Sequence, residues 1–107
     1  MNVFCVNLAE QLGPAPGAVG EELAVDETVV TAAALGAGVT HCLVSVKTKA
    51  VLATFDGTDP VSSGAGIYLP VTSAPMVWSR RLVGAARFVE AVAGENGVVR
   101  FEPMSLG

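Results

Sequence analysis

The sequence predicts an all-β fold: an antiparallel β-sandwich of jelly-roll-like type, with seven to eight short strands and an extended N-terminal arm. Three observations carry this prediction. Apolar and polar residues alternate with a period of two in several short runs. Glycine, proline, aspartate and asparagine separate these runs at short intervals, and no run shows a convincing helical period. This combination is typical of a sandwich or barrel.

Composition narrows the classes of function. The chain has 107 residues, the length of one domain, and only 15% of them are charged. Sparse charge on a small protein indicates a surface that is partly buried in an assembly. The net charge of −4 argues against a nucleic-acid partner, which would require a basic face.

The N-terminal segment is predicted to be an arm and linker over residues 1–22, followed by a sandwich domain over residues 23–107. The arm begins with an apolar patch that includes Val3, Phe4 and Val6, and the linker contains the string GPAPGAVG. A disordered tail is one interpretation. We favour an arm that docks on a neighbour, with this patch adding to an open sheet edge, because exposed apolar residues at a chain end usually need a partner.

Targeting signals are not evident. The apolar N-terminal run is too short for a signal peptide, and the longest apolar stretch, residues 29–39, is interrupted by Gly36 and Gly38. We therefore expect a soluble protein, intracellular when made, with no membrane partner.

The first strands are predicted from β-branched residues and alternation. Residues 27–34 form one strand, followed by a turn at residues 36–38. Residues 40–48 form the next strand, because Cys42, Val44 and Val46 alternate with mostly polar neighbours. Residues 47–49 are expected to close a hairpin onto a strand at residues 50–55.

The string FDGTDP follows that strand and predicts a rigid corner. Asp56 can accept hydrogen bonds from backbone two residues on, and Gly57 tolerates a positive φ. Pro60 restricts Asp59 and cannot donate to a sheet. Asp56, Gly57, Asp59 and Pro60 are therefore interpreted as a structural turn. The alternative to turn capping is a Ca²⁺ site shared by Asp56 and Asp59.

Four more strands complete the prediction. Residues 67–69 and a run that starts at residue 76 are strands. Residues 86–92 suit a helix by composition, but a strand there gives residues 98–102 an antiparallel partner through a Gly94–Gly97 hairpin turn.

Catalytic chemistry has no evident basis. His41 is the only histidine, so neither a Ser-His-Asp relay nor a histidine metal cluster can be assembled, and we predict no enzyme, metal or cofactor. The string DGT is similar to a phosphotransferase loop, but Thr54 stands where that loop needs its nucleophilic aspartate. Cys5 and Cys42 lack metal or redox spacing, and we interpret them as buried free thiols, although a disulfide between them stays open.

Other polar and aromatic residues have two interpretations each. Arg80 and Arg81 either pair with carboxylates on a neighbouring subunit or form a solvated face. Tyr68 and Trp78 either stack on a sugar ring or belong to the core or an interface.

A resemblance adds to these inferences. The run LVSVKTKAVLATFDGTDPVSSGAGIYLP, followed by ARFVEA at residues 86–91 and a last strand, resembles small virion proteins of tailed bacteriophages. The resemblance covers residues 40–103; the family often has threonine where Val61 stands. It implies a β-sandwich structural protein of the particle.

The resemblance implies a capsid decoration (cement) protein that is made in the host cytoplasm and lies on the outer surface of the head, bound to the major capsid protein or other virion proteins. A homo-oligomer is expected on physical grounds, because a symmetric cluster would bury exposed alanine and valine surface. A neck, tail or fibre-anchoring protein is an alternative. A small carbohydrate- or ligand-binding β module is a further alternative, which would present an exposed aromatic pair near the FDGTDP turn.

Overall fold

The computed structural model describes residues 12–15 and 17–106, and it confirms the all-β, antiparallel, sandwich-like fold. The described part of the chain contains eight strands and one short helix, joined by loops. The strands are β1 (Leu12–Pro14), β2 (Glu21–Val25), β3 (His41–Lys47), β4 (Val51–Thr54), β5 (Ile67–Leu69), β6 (Met76–Ser79), β7 (Arg87–Glu90) and β8 (Gly97–Leu106), and the helix is α1 (Arg80–Ala85).

The strands form two sheets. The five-stranded sheet has the order β1-β8-β3-β6, and β2 also pairs with β8, on the same side as β1. The three-stranded sheet has the order β5-β4-β7. A single bridge between Val30 and Phe88 extends the second sheet beyond β7. All of these pairings are antiparallel.

Strand β8 is the centre of the five-stranded sheet. It pairs with β3 on one side, and on the other it pairs with β2 over Gly97–Phe101 and with β1 over Met104–Leu106. Pro103 lies between these two pairings, and its carbonyl accepts a hydrogen bond from the Ala15 N–H at 3.4 Å. Because the N–H and C=O of an antiparallel strand residue point to one edge, the missing N–H of Pro103 falls in this gap.

The core lies between the two sheets. The alternation predicted for residues 40–48 is confirmed, since Cys42, Val44 and Val46 are fully buried and the intervening side chains are half-buried. Three aromatic rings fill the centre: Phe88 stacks on Trp78 with 6.2 Å between ring centroids and tilts against Phe101 at 6.0 Å. Small aliphatic residues and three packed aromatic rings therefore supply most of the hydrophobic stabilisation.

The predicted hairpin through residues 47–49 is wrong. Strand β3 pairs with β6 and β8, whereas β4 pairs with β5 and β7, so the connection crosses from one sheet to the other. Thr48 has a φ of +74°, and the Lys49 N–H donates to the Lys47 carbonyl at 2.9 Å, which is the γ-turn of the rarer, strained type. The crossing lets Val46 and Val51 both face the core.

The predicted hairpin through Gly94–Gly97 is also wrong. Strand β7 lies in the three-stranded sheet and β8 in the five-stranded sheet, although both strands occur close to their predicted positions. The turn residues are present, with Gly94 at a φ of +80°. They form a second crossing between the sheets because both strands bury apolar residues in the shared core.

The strand predicted at residues 27–34 is replaced by β2 upstream and an extended crossing. Asp26 turns the chain by accepting a hydrogen bond on Oδ1 from the Thr28 N–H at 2.8 Å, and its carbonyl accepts one from the Glu90 N–H. The chain thus leaves the five-stranded sheet and reaches the edge of β7, where only Val30 pairs.

Helix α1 was not expected from the sequence. Ser79 caps it by accepting a hydrogen bond on Oγ from the Leu82 N–H at 3.2 Å, and Val83 is its buried residue. With six residues, α1 is too short for a helical period to show in the sequence. Strand β7 follows directly, at the centre of the strand predicted at residues 86–92.

The described part of the predicted arm and linker is attached to the sandwich. Strand β1 and the first residues of β2 fall within residues 1–22, and both pair with β8. Leu12 and Ala15 are buried. Residues 1–11 lie outside the described residues, so the docking arm stays a prediction there.

Candidate interaction surface

The FDGTDP turn is held by side-chain hydrogen bonds. Oδ1 of Asp56 accepts from the Thr58 hydroxyl at 2.6 Å and from the Thr58 N–H at 3.1 Å, and Gly57 has a φ of +87°. These two donors, the hydroxyl first, hold the pKa of the Asp56 carboxyl below its usual value. This oxygen of Asp56 is therefore used within its own turn.

The loop after the turn lies over the outer face of the three-stranded sheet. Leu52 and Val89 pair across β4 and β7 and are buried, yet they lie outside the central core. Pro60 is buried, and a Cβ at Gly66 would lie 3.0 Å from Leu52 Cβ and 3.4 Å from Pro60 Cβ. The loop therefore forms a small second core on this face.

Two polar contacts fasten the loop to β7. Asp59 forms an ion pair with Arg87, with 2.5 Å between Oδ1 and Nη1. The Ser62 hydroxyl donates to Oε2 of Glu90 at 2.6 Å, and Oε1 of Glu90 accepts from the Gly94 N–H at 3.2 Å. Glu90 is only 2% exposed, so these hydrogen bonds satisfy a buried carboxylate.

A groove beside β5 lies on the part of the three-stranded sheet that the loop does not cover. We call it the β5 groove. It encloses about 400 Å³. Its lining includes Lys49, Ala50, Tyr68, Val71, Val92 and Glu95. The Lys49 ammonium lies 3.6 Å from the Glu95 carboxylate, so the only two charged lining residues are paired with each other.

The walls of the β5 groove are apolar and exposed. Tyr68 is 61% exposed, Val71 51% and Val92 49%. Ile67, the first residue of β5, is 56% exposed. Tyr68, Val71 and Val92 line the same groove, whereas Ile67 points to the opposite face of β5 from Tyr68. Clustered exposure of this kind marks an interaction surface more often than scattered apolar residues do.

The backbone of β5 is also open. Strand β5 pairs with β4 on one side, and no strand or loop of the described residues pairs with its other edge. An edge strand with free N–H and C=O groups can accept a further strand. The β5 groove therefore offers a partner side-chain contacts, and the β5 edge separately offers backbone hydrogen bonds.

The outer face of the five-stranded sheet has a different character. Glu22 Oε2 lies 2.8 Å from Lys47 Nζ and 3.7 Å from Arg100 Nη1, and Arg100 Nη2 lies 3.0 Å from Glu102 Oε2. The hydrogen bond from Lys47, and then its positive charge, lower the pKa of Glu22. Because these charges are paired within the chain, this face is a solvated surface rather than an open site.

The two arginines interpreted as interface residues have different surroundings. Arg80 donates to three backbone carbonyls of its own chain, those of Leu35, Gly36 and Val39, at 2.9, 2.6 and 3.0 Å. It thereby holds the turn before β3. Arg81 is exposed. The interface residues predicted in the arm, Val3, Phe4 and Val6, lie outside the described residues.

The remaining candidates for chemistry are dispersed. His41 contacts Thr40, with 2.9 Å between Nδ1 and Oγ1. Cys42 is buried in the core, and burial raises the pKa of its thiol. Among residues 12–15 and 17–106, no group of three histidine, cysteine, aspartate or glutamate side chains could hold a metal ion. No helix in that part of the chain is long and apolar enough to cross a membrane.

Sequence reasoning missed most of the β5 groove. Val71 and Val92 stand in loops, where period-two alternation gives no information about burial. The available signal was a large apolar residue beside turn residues, as in the strings LPVTS and AVAGENG.

Comparison with protein families, with curated proteins and with solved structures finds no match for this chain.

Proposed function

We propose that the chain is a non-enzymatic structural protein of a virus particle, and most specifically a capsid decoration (cement) protein that binds the major capsid protein and stabilises the head. One observation carries this proposal: a cluster of exposed apolar side chains beside an open strand edge, on a chain with few charges. Such a surface suits lasting protein contacts.

The resemblance of residues 40–103 to small virion proteins of tailed bacteriophages supports the same role. In the structure, the quoted run contains β4, the FDGTDP turn, the covering loop and β5. This run supplies Lys49, Ala50 and Tyr68 of the β5 groove. A shell protein also benefits from repetition, because many weak contacts in a symmetric assembly add to a strong attachment.

A carbohydrate-binding module is less well supported. That alternative needs Tyr68 and Trp78 as an exposed aromatic pair near the FDGTDP turn. Tyr68 is exposed, but Trp78 is only 7% exposed and packs between Phe55 and Phe88. The exposed Tyr68 alone provides one ring for stacking on a sugar, where the carbohydrate alternative needs two. A protein contact needs no second aromatic ring.

The test is sedimentation of native particles on a density gradient, with the protein quantified against the major coat protein by mass spectrometry. The purified chain, run alone on an identical gradient, is the control for free protein. We expect the protein to travel with the particles in a near-stoichiometric ratio to the coat protein.

Two results would contradict the decoration role. A ratio of only a few copies per particle would assign the protein to the neck or a fibre vertex instead. If all of the protein stays at the position of the free chain, the structural role itself fails.

A further inference from the structure

The β5 groove needs an apolar partner. Its walls are formed by Tyr68, Val71 and Val92, each at least 49% exposed, and its two charged residues neutralise each other. A charged or strongly polar ligand would make no favourable apolar contact with these walls. An extended apolar segment would cover them.

The chain itself contains one such segment outside the described residues. Residues 1–11 carry a single charged side chain, Glu10, and an apolar patch at residues 3–6. This patch contains the two large or branched types that fill small apolar grooves, valine and phenylalanine. The composition of the segment therefore matches the chemistry of the groove.

The groove of the same chain is poorly placed to receive that segment. Leu12 pairs with Leu106, at the C-terminal end of β8, and the direction of β1 leads away from the rest of that strand. The groove lies at the other end of β8, since a Cβ at Gly97 would lie 2.5 Å from the carbonyl oxygen of Lys49, a groove residue. Gly97 and Leu106 are nine residues apart, or about 30 Å along a strand.

The length of the segment makes the same point. Residues 3–6 lie six to nine residues before Leu12, which corresponds to at most about 20–30 Å of fully extended chain. Reaching the groove of the same chain requires the 30 Å along β8 and about 10 Å between sheets, after a reversal of direction. A groove on an adjacent copy has no such restriction.

We infer that the β5 groove is the docking site for residues 3–6 of a second copy of this chain. The segment lies across the groove, and its phenylalanine and valine side chains cover Tyr68, Val71 and Val92. Each copy gives one segment and receives another, so the contact links copies as reciprocal pairs or, head-to-tail, as rings or larger arrays. The inference rests on the proposed structural role, but its test requires only the purified chain.

The native Cys5 lies in the middle of the segment, so disulfide trapping can test the contact. In the variant Val71→Cys, docking in a second copy brings the two thiols together, and mild oxidation should join chains covalently. Val19→Cys is the matched control, because Val19 is 85% exposed and lies outside the groove. We expect about ten-fold more chain-to-chain product for Val71→Cys than for Val19→Cys, since docking raises the effective thiol concentration.

Three results of this experiment would overturn the inference. A disulfide within one chain, seen as a monomer that changes mobility on reduction, would place the segment in its own groove. Equal cross-linking of both variants would indicate random collision. Cross-linking of the double variant Cys5→Ser/Val71→Cys would show that two grooves meet face to face.

Sedimentation velocity gives a second, non-covalent test. Phe4→Asp and Val92→Asp should each weaken self-association by about ten-fold or more, because each buries a carboxylate in an apolar contact. Val19→Asp should leave it unchanged. The two disruptive changes combined should add little to either alone, since they remove the same contact; full additivity would contradict the inference. These results are independent of particle binding, so the docking site and the decoration role can fail separately.

Discussion

Gly97 lies directly against Lys49: a Cβ atom at Gly97 would lie 2.5 Å from the Lys49 carbonyl oxygen and 2.8 Å from Val51 Cγ1. The start of β8 is therefore in contact with the crossing that joins the two sheets. Only glycine allows the backbones to approach this closely.

Gly97→Ala should destabilise the fold by about 1–3 kcal/mol, because either the crossing or β8 must shift. Gly84→Ala is the matched control, since Gly84 lies in α1 with nothing within 4 Å of an added Cβ. It should stabilise by about 0.5–1 kcal/mol through helix propensity. Urea unfolding of both variants measures the difference. Equal effects of the two changes would contradict the contact.

Thr48 holds a strained backbone conformation at the first crossing. Its φ of +74° is unfavourable for a β-branched residue, and its side chain forms no hydrogen bond in the described structure. Thr48→Gly should therefore stabilise the protein by about 1 kcal/mol. Thr28→Gly, at an exposed position without positive φ, should destabilise by a similar amount. An upward shift of the thermal unfolding midpoint for Thr48→Gly and a downward shift for Thr28→Gly would confirm the strain. Downward shifts for both variants would contradict it.

Arg80 and Arg81 offer a comparison of neighbouring arginines. Arg80→Lys should cost about 1–2 kcal/mol, because an ammonium group cannot reproduce the planar contacts with three carbonyls. Arg81→Lys, at an exposed position, should stay within about 0.5 kcal/mol of the native protein. Chemical denaturation distinguishes them. A cost for Arg81→Lys equal to that for Arg80→Lys would show that the carbonyl contacts are not the cause.

The Asp56 turn should contribute to acid sensitivity. Its carboxyl has a pKa below the usual value, so its stabilising effect is complete above the unfolded pKa of about 4 and is lost as the pH falls through the lower folded pKa. Asp56→Asn keeps the acceptor oxygen but cannot titrate. Its unfolding midpoint should therefore fall less than that of the native protein between pH 5 and pH 2, taken as rough limits.

Thr58→Val is the companion change for this test. It removes the hydroxyl that makes the largest contribution to the lowered pKa while the carboxyl remains. The pH dependence should be reduced in this variant too. An acid profile identical to the native one in both variants would assign the sensitivity to other groups, such as Glu22, whose pKa is also lowered.

Local patterns predicted where strands occur, but not how they pair. The alternation of Cys42, Val44 and Val46 correctly identified β3, and the residues of β4, β5 and β6 were also found. A period of two shows that one face of a strand is buried, and this is equally true of a hairpin within one sheet and of a crossing between two facing sheets. The turn residues at Thr48 and Gly94 are compatible with a hairpin and with a crossing. The pairing partners of the flanking strands could therefore be identified only from the three-dimensional structure.

The candidate interaction surface was harder to predict from the sequence than the strand pairing. Burial of Leu52 and Val89 depends on a loop that folds back over them, and the exposure of Val71 and Val92 depends on where that loop ends. Both are tertiary effects of long-range packing. By contrast, the FDGTDP turn is local, because the Asp56 side chain and the Thr58 backbone are two residues apart, and its chemistry could be reasoned from the sequence alone.

The central position of β8 has a consequence for the order of folding. Synthesis proceeds from the N-terminus, so β4, β5 and β7 are complete before residues 97–106 are made, and the small sheet can begin to form first. Strands β1 and β2 have no sheet partner until β8 emerges, because both pair with it alone. Closure of the large sheet is thus a late step that joins distant parts of the chain, which slows folding and leaves open edges for a holding chaperone to shield.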